Sequence, residues 1–232
     1  MSLELFNQLG VVKRNIHRAD PAAVEILSNY SSATIHEAMG RVGLMKPYLR
    51  PIYPQAKACG TAITVLLQPG DNWMMHVAAE QIKSGDVVVA ACTTDNADGF
   101  FGDLLATSFR AQGAKGLIID GGVRDVMDLT DMQFPVFSKA IHGKGTIKAT
   151  LGSVNIPVIC AGMLVEPGDV VVADIDGVVV VPAAKAMDVA IATQKRSENE
   201  DDKRQLFANG TLGLDYYKMR EPLAKAGLKY ID

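Results

Sequence analysis

Two short runs near the middle of the chain hold the side chains best able to do chemistry. Gly102-Asp103-Leu104-Leu105 opens an expected helix, in which Leu104, Leu105, Ser108 and Phe109 keep helical spacing and Gly113 supplies a stop. Asp120-Gly121-Gly122-Val123-Arg124-Asp125 follows the apolar run Gly116-Leu117-Ile118-Ile119. It reads as a Gly-rich turn after a buried strand, with a second helix beginning near Arg124. In open α/β sheets, ligands collect where strands end and helices begin.

These residue types suit a small anion and a metal. A helix N-terminus at Gly102 to Leu105 offers unpaired N–H groups and the positive end of a dipole. Arg124 can clamp a carboxylate with two parallel hydrogen bonds, and Asp103 and Asp125 supply hard oxygens. Either aspartate alone has an ordinary reading as a first-turn carboxylate that favours a helix start. The two turns together, with an arginine between the carboxylates, point to a site.

The stretch GDLLATSFRAQGAKGLIIDGGVRD resembles the signature of the class II pyruvate aldolases that cleave 4-hydroxy-4-methyl-2-oxoglutarate and 4-carboxy-4-hydroxy-2-oxoadipate. Those enzymes share a fold with the regulator of ribonuclease E activity. Their pattern is a GD pair on one turn and an RD pair on the next, here Asp103 and Arg124-Asp125. The likeness continues through HEAMGRVGLMKPYLRPIY, LLQPGDNWMMHVAAEQIKSGD, KGTIKATLGSVNIPVICAGMLVEPGDVVVAD, DGVVVVP and LGLDYYKMREPLAKAGLKYID. These further blocks are closer to the aldolase branch than to the shorter regulators.

The elements that must position the two turns can be read in order. Residues 1–19 suggest a short lead-in helix. Asp20-Pro21 is a helix start, with Asp as N-cap and Pro at N1, for a helix over 22–30. A further helix over 31–40 is capped by serine and ended by glycine. Residues 49–53 should be extended, 60–67 and 87–90 should be strands, and 73–82 a helix in which Met74-Met75-His76 packs into the core. Residues 93–99 read as a polar loop. Residues 134–138, 158–159, 170–173 and 178–181 read as strands, with a turn at Asp174 to Gly177. His142 to Thr146 forms a flexible basic loop without phosphate-loop spacing. Pro182 opens a long helical segment to about residue 208, highly charged in its second half.

Alternation without a repeat or long linker predicts an α/β fold in one domain over 1–232, with a C-terminal helical arm from about 183. The resemblance implies the layered β/β/α swivelling-type arrangement. The 232 residues suffice for one substantial core, and 48% apolar with 21% charged residues is ordinary for a soluble globule. A net charge of −3 gives no sign of a general nucleic-acid or membrane surface. No signal peptide or membrane-length run is evident. The three cysteines, Cys59, Cys92 and Cys160, lack zinc spacing and suit core thiols in a reducing cytoplasm.

Retro-aldol cleavage leaves an enolate, whose charge a lysine Schiff base or a metal must hold. In the central stretch lysine occurs only at Lys115, poorly placed just before the strand, so the expected cofactor is Mg²⁺ or Mn²⁺. The resemblance implies Asp125 as the direct metal ligand and a 2-oxo acid as the small-molecule substrate. Arg124 then stabilises the enolate, and backbone N–H groups of Gly102, Asp103, Leu104 and Leu105 bind the pyruvoyl carboxylate. The base for the 4-hydroxyl proton is Asp103 or a metal-bound water. Oxaloacetate decarboxylation is an expected side activity, and the resemblance places the reaction in aromatic-compound catabolism. It also implies that Glu37 and Glu200 face metal waters, Glu200 from a neighbouring chain, with Glu198 as a possible substitute. That requires a homo-oligomer, a trimer or a hexamer of two trimers. The competing reading is a non-enzymatic ribonuclease regulator that binds a protein partner. A methyltransferase reading of Gly121-Gly122 lacks the fuller glycine pattern.

Overall fold

In chain order the helices are α1 (Pro21–Ser28), α2 (Ser32–Ala38), α3 (Trp73–Ala79), α4 (Asp103–Ala111), α5 (Val126–Asp131), α6 (Ala186–Ala208), α7 (Gly213–Tyr216) and α8 (Arg220–Lys225). The strands are β1 (Arg50–Pro51), β2 (Ala58–Leu67), β3 (Asp86–Cys92), β4 (Gly99–Phe101), β5 (Gly116–Val123) and β6 (Val136–Ile141). They continue as β7 (Ser153–Val154), β8 (Val158–Cys160), β9 (Met163–Val165), β10 (Val170–Asp174) and β11 (Gly177–Val181). This computed structural model describes residues 3–232. Two compact units result, one ending at Thr193 and the other spanning Gln194–Asp232.

The first unit is built on a sheet of order β1-β6-β5-β3-β2-β10-β11, with β4 added beside β5 and β7 beside β2. Its central strands β2, β3, β5 and β6 run parallel, while β10 and β11 return antiparallel. The parallel strands read as unbroken apolar runs because both their faces are covered. One face, through Ile63, Val65, Val88, Leu117 and Ile119, packs on α3, α4 and α5. The other, through Ala62, Leu66, Val87, Val89 and Ile118, packs on the two-stranded β8–β9 ribbon and on inward side chains of β10 and β11. The sheet therefore curls about this second cluster. The outer side of β10 and β11 is covered by α1, α2 and the start of α6. This is the layered α/β arrangement expected from the sequence.

Local signals act as expected at several joints. Asp20 Oδ1 caps α1 at Ala22 N–H (2.9 Å), with Pro21 in the first turn. Ser31 Oγ caps α2 at Thr34 N–H (3.2 Å). Gly113, at φ +90°, ends α4.

Two expectations fail, and one strand was not foreseen. The lead-in segment has only a 3₁₀ turn at Leu3–Leu5 and then continues without regular structure to α1; residues 1–2 lie outside the described part. Its backbone is committed elsewhere, since Lys13 N–H donates to Val154 C=O (3.1 Å) and Val11 N–H to Ser153 Oγ (3.0 Å). The Gly-rich run Asp120 to Val123 is not a turn but the last half of β5. Its glycines admit a close neighbour: a Cβ on Gly122 would lie 2.1 Å from Ala97 O, and one on Gly121 would lie 3.2 Å from the Phe100 ring. The polar loop ends in a short buried strand, β4, which carries Phe100 and Phe101.

The second unit holds the later turns of α6 with α7 and α8. Phe207, Tyr216 and Tyr217 meet edge to face within it, and Arg196 Nε pairs with Glu200 Oε1 at 2.9 Å. Among the described residues no helix is long and apolar enough to cross a membrane. The three cysteines are unpaired thiols; burial pushes Cys59 and Cys92 up to about 12, and Cys160 higher still.

Candidate active site

Strand pairing brings the two sequence runs together. Strands β4 and β5 are parallel neighbours, with Phe101 opposite Val123. The residues that follow, Gly102-Asp103 and Arg124-Asp125, therefore leave the sheet side by side at the carboxyl ends of the strands. Arg124 N–H donates to Phe101 C=O (2.9 Å), which locks the two exits in step. Asp103 N–H approaches Asp125 Oδ2 (3.4 Å), and Arg124 Nε lies 3.4 Å from the same oxygen.

Backbone conformation then aims the groups. Asp125 adopts a left-handed conformation, φ 55° and ψ 39°, which aspartate tolerates better than most residues. Its side chain makes no cap bond to α5 and turns instead towards Gly102. Gly102 caps α4 in an ordinary extended conformation, φ −151° and ψ −167°, so its need is for space. A Cβ there would stand 2.0 Å from Asp125 Oδ2. The first intrahelical bond of α4 is Ala106 N–H to Gly102 C=O (3.0 Å), which leaves the Leu104 and Leu105 N–H groups without helical acceptors. Gly102→Ala is expected to displace the Asp125 carboxylate and cut turnover by about tenfold or more while the melting temperature moves little. Steady-state kinetics beside thermal unfolding checks this; an equal fall in stability would mean that the methyl group disturbs the fold instead.

Gly102, Asp103, Leu104, Leu105, Arg124 and Asp125 all line one cavity of about 120 Å³. Glu37 is not among its lining residues; it lies on α2, which packs on β10 and β11. Glu200 belongs to the second unit. Asp120 points away from the cavity, accepting from Tyr48 Oη (3.0 Å) and Ala161 N–H (2.9 Å).

The cavity also contains Asn72, His76, Thr146 and Lys148, which the sequence reading did not place there. His76 was assigned to the core with Met74 and Met75; those two are buried, but the helical turn carries His76 outward. Partial desolvation, and then the Lys148 ammonium, hold its pKa below the ordinary histidine value, so the ring is neutral near pH 7. Asn72 Nδ2 donates to Phe100 C=O (2.9 Å), and its buried Oδ1 has no hydrogen-bond partner among the described residues. Among the described residues no three His, Cys, Asp or Glu side chains converge as a metal cluster. The donor set, one carboxylate fixed at Asp125 with a second at Asp103, fits a hard cation that keeps waters and shares substrate oxygens. It does not fit a closed zinc site.

The Gly70-Asp71-Asn72 turn could have signalled the missed residues. Buried Asp71 caps α3 at Trp73 N–H (2.8 Å) through Oδ1. Its Oδ2 accepts from Ala149 N–H (2.7 Å), Thr150 N–H (2.7 Å) and Thr150 Oγ1 (2.9 Å). Burial alone would raise this carboxyl's pKa, but the four donors hold it below the usual value. One side chain thus fastens the segment bearing Lys148 to the helix bearing His76. Asp71→Asn sets an amide against the Ala149 and Thr150 donors. It is expected to lower kcat/KM by about tenfold and to speed hydrogen exchange at those two amides. Unchanged exchange there would remove this clamp from the account.

Comparison with known proteins places the fold. The RraA-like family model, described as Aldolase/RraA, matches residues 32–180. The chain belongs to the RraA-like family. Within it, a Halalkalibacterium halodurans protein named "Putative 4-hydroxy-4-methyl-2-oxoglutarate aldolase" is 26% identical over 81% of this chain and 90% of its own length. An uncharacterized protein of Methanocaldococcus jannaschii is 30% identical over the same shares of the two chains. A crystal structure of Streptomyces coelicolor RraAS2, described as an unusual member of the RNase ES inhibitor RraA protein family, superposes with a TM-score of 0.73 at 27% identity. It covers 82% of this chain and 99% of that one.

Proposed function

We propose that the protein is a divalent-metal-dependent carbon–carbon lyase. Its substrates are 4-hydroxy-4-methyl-2-oxoglutarate, cleaved to two pyruvates, and 4-carboxy-4-hydroxy-2-oxoadipate, cleaved to pyruvate and oxaloacetate. The observation that carries this reading is the paired exit of β4 and β5, which sets helix N–H donors, an arginine and two carboxylates around one cavity. The aldolase names of the relatives support it. The Leu104 and Leu105 N–H groups bind the pyruvoyl carboxylate at the helix N-terminus. Arg124 pairs with the pyruvoyl oxygens and stabilises the oxyanion as it forms. Asp103 accepts the 4-hydroxyl proton, directly or through water, as the C3–C4 bond breaks and its electrons pass to the enolate. Lys148 lies in the same cavity and suits a distal carboxylate. Asp125 would hold Mg²⁺ or Mn²⁺, which when bound supplies a Lewis acid for the 2-oxo group. The same groups favour decarboxylation of oxaloacetate, which passes through a like enolate.

The reading includes a homo-oligomer, trimer or hexamer, in a cytoplasmic setting. Glu200 would complete a neighbour's cavity, and Glu37 would face the metal waters. Support comes from Leu104, which lines the cavity, and from Met127, two residues beyond Asp125; they stand 78% and 76% exposed on the first turns of α4 and α5. Large apolar side chains left so open suit a covering chain. The test is pyruvate release by purified protein from each hydroxy-oxo acid. Release from either supports the lyase; release from neither favours the regulator reading suggested by the Streptomyces relative.

A further inference from the structure

Beyond β6 the chain passes the Asp103–Arg124–Asp125 cavity as an open strap, residues 142–148. Its first part is moored to the strands that carry the site: His142 N–H donates to Val123 C=O (2.9 Å), and Gly99 N–H to Lys144 C=O (2.7 Å). Its last part joins the turn before α3. There Ile147 N–H donates to Gly70 C=O (2.9 Å), and Ile147 C=O accepts from Asn72 N–H (3.1 Å). Between these moorings Thr146 lines the cavity and Gly145 lies against Arg124. A Cβ on Gly145 would stand 3.2 Å from Arg124 Nη1.

An ion pair ties the first mooring down. Asp98, immediately before β4, is buried, and its Oδ2 accepts from the Nζ of exposed Lys144 at 2.9 Å. The root of Asp98 is fixed: its N–H donates to Asn96 Oδ1 (2.8 Å), and its C=O accepts from Phe100 N–H (3.0 Å). Its head is also confined, since a Cβ on Gly70 would lie 3.3 Å from Oδ2. His142 Nδ1 stands 3.9 Å from Oδ1, beyond hydrogen-bond reach. The hydrogen bond from Lys144 outweighs burial and holds the Asp98 carboxyl below its usual pKa, so the pair is ionised near pH 7. A pair with one partner in solvent adds little to stability. Its effect is local. Lys144 stands between Gly143 and Gly145, which have no side chain to hold them, so the bond to Asp98 sets where Gly145 lies.

We infer that Asp98 and Lys144 are positioning residues, whose ion pair holds the strap so that Gly145 keeps the Arg124 guanidinium turned towards the cavity. The effect on turnover rests on the lyase reading, in which Arg124 meets the reacting oxygens. Arg124 is half-exposed, and its Nε lies 3.4 Å from Asp125 Oδ2. That contact restrains one edge of the fork, and Gly145 bounds the other at Nη1. A released strap leaves the fork free to swing into solvent, and a shift of about an ångström is enough to cost a catalytic group much of its effect.

Lys144→Met and Asp98→Asn both break the ion pair but change the local charge in opposite directions. A purely electrostatic effect would therefore move the two variants apart, whereas a released strap moves them together. The first readout is modification of Arg124 by phenylglyoxal in the intact protein, read by peptide mass spectrometry against exposed Arg14 in the same sample. Labelling of Arg124 is expected to be faster by about threefold or more in both variants and near the parent rate in Lys144→Arg. The second readout is steady-state kinetics on either hydroxy-oxo acid. There kcat should fall by about tenfold in both variants and recover in Lys144→Arg, with KM within about twofold and the melting temperature unmoved. Four results would each overturn the inference: Arg124 labelling unchanged in either variant, opposite shifts in the two, faster labelling with kcat unchanged, or labelling that rises alike at Arg124 and Arg14 as the melting temperature falls. The last would make the pair a general stabiliser of the fold. Labelling needs no turnover. If the parent protein releases no pyruvate, the lyase reading falls and labelling alone decides whether the pair holds Arg124.

Discussion

Arg124→Ala is expected to lower kcat by about a hundredfold or more, the scale for removing one donor to a developing oxyanion. The backbone that carries Arg124 is fixed by its N–H bond to Phe101, and the guanidinium lies against the bare Cα of Gly145, where an added Cβ would sit 3.2 Å from Nη1. The side chain is half-exposed and so costs little stability when removed. Its role is therefore separable from folding. Arg124→Lys should recover only part of the loss, because a point charge cannot reproduce the planar fork. Steady-state kinetics on either hydroxy-oxo acid decides the matter. A raised KM with kcat unchanged would make Arg124 a binding group that takes no part in stabilising the transition state.

Dialysis against a chelator is expected to abolish pyruvate release, and Mg²⁺ or Mn²⁺ to restore it. Asp125→Ala should shift the metal titration to higher concentration, whereas Asp103→Asn should slow turnover at saturating metal. Rescue of Asp103→Asn by excess metal, without rescue of Asp125→Ala, would reverse the two assignments. The structure adds a rival that the sequence reading passed over, since Lys148 lines the cavity while Lys115 does not. Lys148 is exposed and lacks the apolar enclosure that activates a Schiff-base lysine. Full activity in chelator, together with a borohydride-trapped substrate adduct that Lys148→Ala abolishes, would replace the metal by an imine.

The sequence showed most where a local rule acts alone. The Asp20-Pro21 and Ser31 caps, the Gly113 stop and the β10–β11 hairpin each depend on neighbours a few residues away, and each formed where expected. The two runs at Asp103 and Arg124 were legible as strand-to-helix exits because apolar runs and helical spacing flank them. What could not be read was long-range. A three-residue strand such as β4 has no periodicity of its own and exists because Gly121 and Gly122 leave room beside β5. For the same reason the two glycines were mistaken for a turn. His76 and Lys148 share the cavity through long-range bonds, among them those of Asp71, which reaches 78 and 79 residues along the chain to Ala149 and Thr150.

The pairing of Phe101 with Val123 has a consequence for how this site can change over time. The aspartates of the two runs stand 22 residues apart, yet that interval is not what brings them together. The helix and loop between β4 and β5 form a closed excursion, and their length can drift by insertion or deletion while both exits stay in place. A one-residue deletion within β5 is different: it would shift the pairing and turn alternate side chains to the opposite face. Divergent members of this lineage can therefore keep the chemistry while losing the spacing. A search that demands a fixed interval between the two motifs will miss them, and one that asks for two adjacent strands ending level will not.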